Sequence, residues 1–233
     1  MNDPRPTILA IDSSTERLGV ALLRDEQVVC RHLQLGTGHA QVVLAVIQDV
    51  LGEAGVAKSA IDALAVCRGP GGFTGLRIAL GVVQGLALAL ERPVVPVSGL
   101  RVLAASAQAS APVLAVIDAR MNEFYVAAWT DSRAAAADHD PLLGECLASP
   151  AGLQERLARA GWPDQGGVVI GPGVASSLAA GLFPAGHAAW PDAEVLARLG
   201  RRDLLAGRGV TAEAAQPVYL RDQVAVPSVR RPG

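Results

Sequence analysis

Aromatic side chains are scarce in this chain, only 3% of 233 residues, which leaves few platforms on which nucleobases could stack. Lysine is scarcer still, since Lys58 is the only one. With a formal net charge of -2 the chain has no general pull toward nucleic acid, so contact with RNA would need a local patch or a second subunit. Three cysteines (Cys30, Cys67, Cys146) are an odd number at wide spacing without a CxxC pair. They suggest neither a disulfide framework nor a zinc site, and fit a reducing cytoplasm. The histidines His32, His39, His139 and His187 form no HxxxH or HExxH pair, so no two could ligate one metal from a helical turn. No GxSxG elbow occurs, and no cysteine has the context of a nucleophile. The N-terminal residues lack the basic-then-apolar pattern of a signal peptide. The uncharged run between Arg77 and Glu91 falls short of the eighteen or so residues of a membrane span.

What the chain has is apolar material, 51% of its residues, and one unusual stretch, CRGPGGFTGLRIALGVVQGLALAL from Cys67 to Leu90. A short apolar segment feeds a turn containing Gly69, Pro70, Gly71 and Gly72. Thr74 reads as the N-cap of a helix in which only Arg77 and Gln84 are clearly polar. A helix apolar nearly all round is covered on every side, by its own domain or by a partner chain. Gly81 and Gly85, with Gly75 and Ala89 nearby, have the small-xxx-small spacing that lets backbones come close.

Around this stretch the pattern predicts three strands (Thr7 to Ile11, Leu18 to Leu23, Gln27 to Leu35) and a helix over His39 to Ala54 stopped by Gly55. A strand, the long helix, a strand over Pro93 to Val97 and a helix over Gly99 to Ala109 follow. This order is that of the ribonuclease-H-like unit repeated in the actin, hexokinase and sugar-kinase superfamily, an α/β architecture of mixed sheets with flanking helices. A second, degenerate copy starts near Pro112: Val113 to Ile117 ends in Asp118 as the first strand ends in Asp12. It continues with a hairpin mate over Glu123 to Trp129, a loop over 131–141, a strand over Leu142 to Leu147, a helix over Ser149 to Ala160, a strand over Val168 to Ile170 and a last helix over Ala193 to Ala206. The expected division is a first lobe over 1–110, a second over 111–225 and a flexible tail over 226–233.

Two places could carry chemistry. Asp12, Ser13, Ser14 and Thr15 lie where a kinase of this superfamily holds a phosphate or its magnesium; alternatively, Asp12 accepts bonds from its own turn. Gly71 and Gly72 either approach an anion at the helix N-terminus or make a tight crossing between strand and helix. The turn is not a P-loop, because Leu76 and Arg77 stand where GxxxxGK[ST] requires lysine and a hydroxyl, and no GxGxxG follows the first strand.

ILAIDSSTERLGVALL, RGPGGFTGLRIALGVVQGLALAL, VPVSGL, AVIDARMNEFYVA and QPVYLR, in this order over about 7–225, resemble the bacterial TsaB (YeaZ) family of tRNA threonylcarbamoyladenosine biosynthesis proteins. The resemblance implies two degenerate actin-like lobes and a non-catalytic subunit that pairs with its catalytic paralogue TsaD and is joined by the ATPase TsaE, tRNA being handled by the assembly. TsaD carries metal-binding histidines in a region that here reads VPVSGLRVLA, without histidine. No cofactor is then required, beyond a vestigial phosphate site binding ATP or ADP weakly. The resemblance also implies pairing, and self-association, through the two helices of the first lobe, with Val42, Ala45, Leu76, Leu80, Val83 and Ala87 as interface residues. The alternative is an ATP-dependent small-molecule kinase or ATPase using Asp12 and the glycine turns.

Overall fold

The computed structural model describes residues 5–163 and 166–221; the tail expected over 226–233 lies outside them. The chain opens with β1 (Ile8–Asp12), β2 (Arg17–Arg24), β3 (Gln27–Gln34), α1 (His39–Ala54), β4 (Ala63–Cys67), α2 (Phe73–Leu90), β5 (Val94–Val97) and α3 (Gly99–Ser106). The five strands form one sheet in the order β3-β2-β1-β4-β5, antiparallel through β1, β2 and β3 and parallel from β1 to β5. β1 is buried at every position because both faces of the sheet are covered. Leu9, Ile11, Leu64 and Val66 point to α1 and α2, and Ile8, Ala10, Ala63 and Ala65 to the other side.

The second unit contains β6 (Val113–Asp118), β7 (Phe124–Trp129), α4 (Ser132–Ala137), β8 (Leu143–Ala148), α5 (Pro150–Arg159), β9 (Val168–Ile170) and α6 (Val174–Ala179), followed by α7 (Ala193–Leu205). Its sheet, β8-β7-β6-β9, repeats the first one strand short; a single parallel bridge from Ile170 to His187 stands where a fifth strand would pair. These are two ribonuclease-H-like units of the actin type, the second abbreviated.

Four expectations need correction. The loop over 131–141 contains α4, because the Asp131 side chain accepts the Ala134 N–H and caps an alanine run whose Ala134 and Ala135 are buried. The glycine turn that the sequence places after Ile170, at Gly171, Pro172 and Gly173, continues into a helix not expected there, α6. The long helix starts at Phe73, with Gly72 rather than Thr74 as its N-cap. The lobe division fails at its far end: α7 packs on the first sheet through Ala193, Leu196, Ala197 and Leu199. Val210 then bridges Val94 and Ala215 enters the core beneath α2. The small residues Ala10, Ala63 and Ala65 make room for α7, and a Cβ on Gly200 would lie 2.5 Å from the Ala65 Cβ.

α3 joins the lobes. Val102 packs with the first, while Leu100 and Leu103 pack with β6, β7 and α4 of the second. Between them the buried Arg101 donates to both carboxylate oxygens of Asp203 on α7 (2.7 and 3.1 Å) and to the carbonyls of Ala135 and Ala136 in the last turn of α4. An ion pair this enclosed holds because each guanidinium nitrogen and both carboxylate oxygens are hydrogen-bonded.

Candidate functional site

The first turn and the glycine turn are pressed together. Asp12, at the end of β1, is 1% exposed, and its Oδ1 accepts the Ser14 N–H at 3.0 Å. Burial pushes its pKa up, opposed by hydrogen bonds from Ser14 and Cys67 and by the charge of Arg17. Ser13 Oγ donates to the Gly75 carbonyl at 2.7 Å, and the Gly72 N–H donates to the Ser14 carbonyl at 2.7 Å. A Cβ on Gly71 would fall 2.5 Å from the Ser14 carbonyl oxygen, and one on Gly75 only 1.8 Å from that of Ser13. The glycines are therefore required by the hairpin backbone, which lies against the start of α2. Thr15 Oγ1 accepts the Arg17 N–H. Of the alternatives left open at these residues, the tight crossing and the self-bonded aspartate are the ones the geometry contains.

The second lobe repeats the device. Asp118 accepts the Arg120 N–H at 2.7 Å and the Ser176 hydroxyl at 2.6 Å. A Cβ on Gly171 would meet the Val116 carbonyl oxygen at 2.1 Å, and one on Gly173 the Asp118 nitrogen at 2.7 Å. Among the described residues no group of three His, Cys, Asp or Glu converges to hold a metal.

The outer surface of α1 and α2 is different. Leu80, Val83 and Ala87, expected at a partner interface, are buried in the first lobe's own core, because their spacing turns them toward the sheet, and Leu76, expected there too, is buried beside Gly69. They offer no surface. Val42 is half-buried and Ala45 exposed on α1. The outward apolar groups are Leu44 (56% exposed) and Leu88 (60%), alongside Ala45, Gly81, Gly85 and Ala89. A Cβ placed on Gly81 or Gly85 meets nothing within 4 Å. One signal could have found this face in the sequence: Arg77, the lone charge in the run, shares it with Gly81, Gly85 and Leu88 at positions four, eight and eleven further on. At eighteen residues and mean hydropathy 1.7, α2 does have the length and composition to cross a membrane, where the uncharged run alone looked short. Its inward stripe is instead core to a sheet.

A family model described as TsaD, tRNA N6-adenosine threonylcarbamoyltransferase, matches residues 34–170. The tRNA threonylcarbamoyladenosine biosynthesis protein TsaB of Escherichia coli is 35% identical, over 94% of this chain and 96% of that protein. TsaB of Haemophilus influenzae is 32% identical over 94% of each. A solved structure of YeaZ from Pseudomonas aeruginosa superposes with a TM-score of 0.79 at 40% identity, covering 92% of this chain and all of that one.

Proposed function

Because the chain belongs to the TsaB (YeaZ) family of tRNA threonylcarbamoyladenosine biosynthesis proteins, we propose that it is a non-catalytic, activating subunit that pairs with the paralogue TsaD. The uncovered apolar surface of α1 and α2 carries this reading, and within it the two glycines with open space above them, Gly81 and Gly85. A glycine inside a helix costs about 1 kcal/mol relative to alanine. Among the described residues nothing in the chain's own packing requires these two, whereas a second helix backbone lying close against α2 would. An interface of ordinary size buries about 1,600 Å² in total, an area two helices from each partner can supply. Self-association would use the same surface and so compete with pairing. TsaE and tRNA would be met by the assembly, in the cytoplasm.

The kinase or ATPase alternative needs room for phosphate at Asp12, Ser13 and Ser14, where hairpin backbone lies against Gly71 and Gly75. We assign no nucleotide to that turn. Pairing is tested by mixing the purified chain with TsaD and measuring mass by size-exclusion light scattering. Leu88→Asp should elute as the free chain, with an unchanged circular-dichroism spectrum and melting point, while the wild type elutes as the pair. A Leu88→Asp chain that pairs normally would remove this surface from the reading.

A further inference from the structure

Resting on the pairing reading above, we infer that Phe73, Arg77 and Tyr219 form an arginine–aromatic anchor that seats an Asp or Glu carboxylate from a helix of the pairing partner. The guanidinium carbon of Arg77 lies 3.3 Å from the centroid of the Phe73 ring and 5.2 Å from that of Tyr219, and the two rings stack on each other at 5.6 Å. Both rings stay open to solvent, Phe73 at 53% and Tyr219 at 40% exposed. In a chain with eight aromatic residues (3 Trp, 2 Tyr, 3 Phe), two of them stacked on one exposed arginine call for an explanation.

Ring faces hold the flat of a guanidinium and leave its N–H edge free. Among the described residues, no carboxylate pairs with Arg77 and no acceptor takes its hydrogen bonds. Among those residues the N–H edge has no anion, and it lies on the same helical face as Gly81, Gly85 and Leu88, where the pairing partner would lie. Arg77 also lines a groove of about 270 Å³ between α2 and the returning segment, whose walls include Gly81, Gln84 and Tyr219. The groove widens the seat to take a side chain.

The segment that brings Tyr219 is fixed at both ends. Gln84 Nε2 donates to the Ala215 carbonyl at 2.9 Å, and the Val218 N–H donates to the Arg68 carbonyl at 2.8 Å. Beyond Tyr219, Arg221 donates to the Ala119 carbonyl and pairs with Glu123 at 2.8 Å, in the second lobe. Residues 215–221 thus form a strap running from α2 to the β6–β7 turn, and Tyr219 is set before a partner arrives. Arginine and tyrosine are the residue types in which binding energy concentrates at interfaces, and an ordered arginine loses little freedom when its carboxylate docks.

The test measures affinity for purified TsaD by calorimetry at 50 and 500 mM NaCl. Arg77→Gln should weaken pairing about 30-fold at low salt, and remove most of the salt dependence seen with the wild type. Tyr219→Ala should weaken it about tenfold, and adding it to Arg77→Gln should cost nothing further, because the ring acts through the cation. Arg77→Glu should pair worst, and a charge reversal at one acidic position on the partner helix should restore it. If Arg77→Gln binds within twofold of the wild type while Leu88→Asp does not bind, pairing stands and the anchor is wrong. If TsaD binding is unchanged and only self-association weakens, the carboxylate belongs to a second copy and the proposal is overturned. If the wild type does not bind TsaD, the pairing reading and the anchor fall together.

Discussion

The two sides of the first sheet treat glycine in opposite ways. On the α7 side, a Cβ on Gly200 would meet Ala65 at 2.5 Å; on the outer side of α2, a Cβ on Gly81 or Gly85 would meet nothing within 4 Å. The first glycine is explained by the fold that surrounds it. The other two weaken a helix for no return among the described residues, and their use is read as lying in something laid against it. A filled glycine thus marks intramolecular packing, and an open glycine in a helix on an apolar face marks a surface for another backbone.

Substitution at the filled position should have the largest effect on stability. Gly200→Leu drives a side chain into the small-residue floor of Ala10, Ala63 and Ala65, and overpacking of that kind costs roughly 2–3 kcal/mol after the gain in helix propensity. For a chain of this length the melting point should fall by roughly 5–10 °C. A melting point unchanged in differential scanning calorimetry would mean that α7 sits looser on the sheet than the contact with Ala65 implies, and the contrast between the two sides would lose its basis.

At the open positions the sign should reverse. Gly81→Ala and Gly85→Ala should each stabilise the isolated chain by about 0.5–1 kcal/mol, since alanine is the better helix former and each added methyl has room. The same substitutions should weaken pairing, because the methyl groups hold the partner helix away. Stability raised and pairing lowered by one substitution is a pattern that a purely structural glycine does not produce. Urea denaturation of the free chain beside titration against TsaD separates the two, and a loss of stability in the alanine variants would place these glycines with Gly200.

How far the sequence could be read follows the same division. Strand order, the 39–54 helix with its Gly55 stop and the duplication signalled by Asp12 and Asp118 were legible, because period, turn residues and strand ends are local properties. The inward face of α2 was not separable from the outward one by its apolar residues, and only Arg77 marked the outward side. With leucine, alanine, valine and glycine on both, only the core decides that Leu80 and Val83 are buried while Leu88 is not. The return of α7 to the first sheet was one of two placements the sequence left open, since its amphipathic pattern fits either lobe and the deciding fact is the small-residue floor it needs. The strap joins residues 102 and 131 positions apart and the Arg77 stack reaches further still, and QPVYLR by itself says nothing of what Tyr219 touches.

The smallest effect is expected where filled glycines meet a buried acid. Gly71 and Gly75 press the first hairpin over Asp12, whose pKa burial raises above that of the unfolded chain. The folded protein therefore binds this proton more tightly than the unfolded one. Its contribution to stability is complete below about pH 3.9, the unfolded value, and is lost as pH rises through the raised folded value. Above that, the enclosed carboxylate is a fixed cost. Asp12→Asn keeps an acceptor for the Ser14 N–H and cannot ionise. The variant should match the wild type at the acid end, gain on it as pH rises from about 4, and then run parallel. Urea denaturation between pH 4 and 8 measures the gap. If the wild type gains on Asp12→Asn instead, the carboxylate is held by a cation at that turn, and the closed crossing would have to be read as a working phosphate or magnesium site.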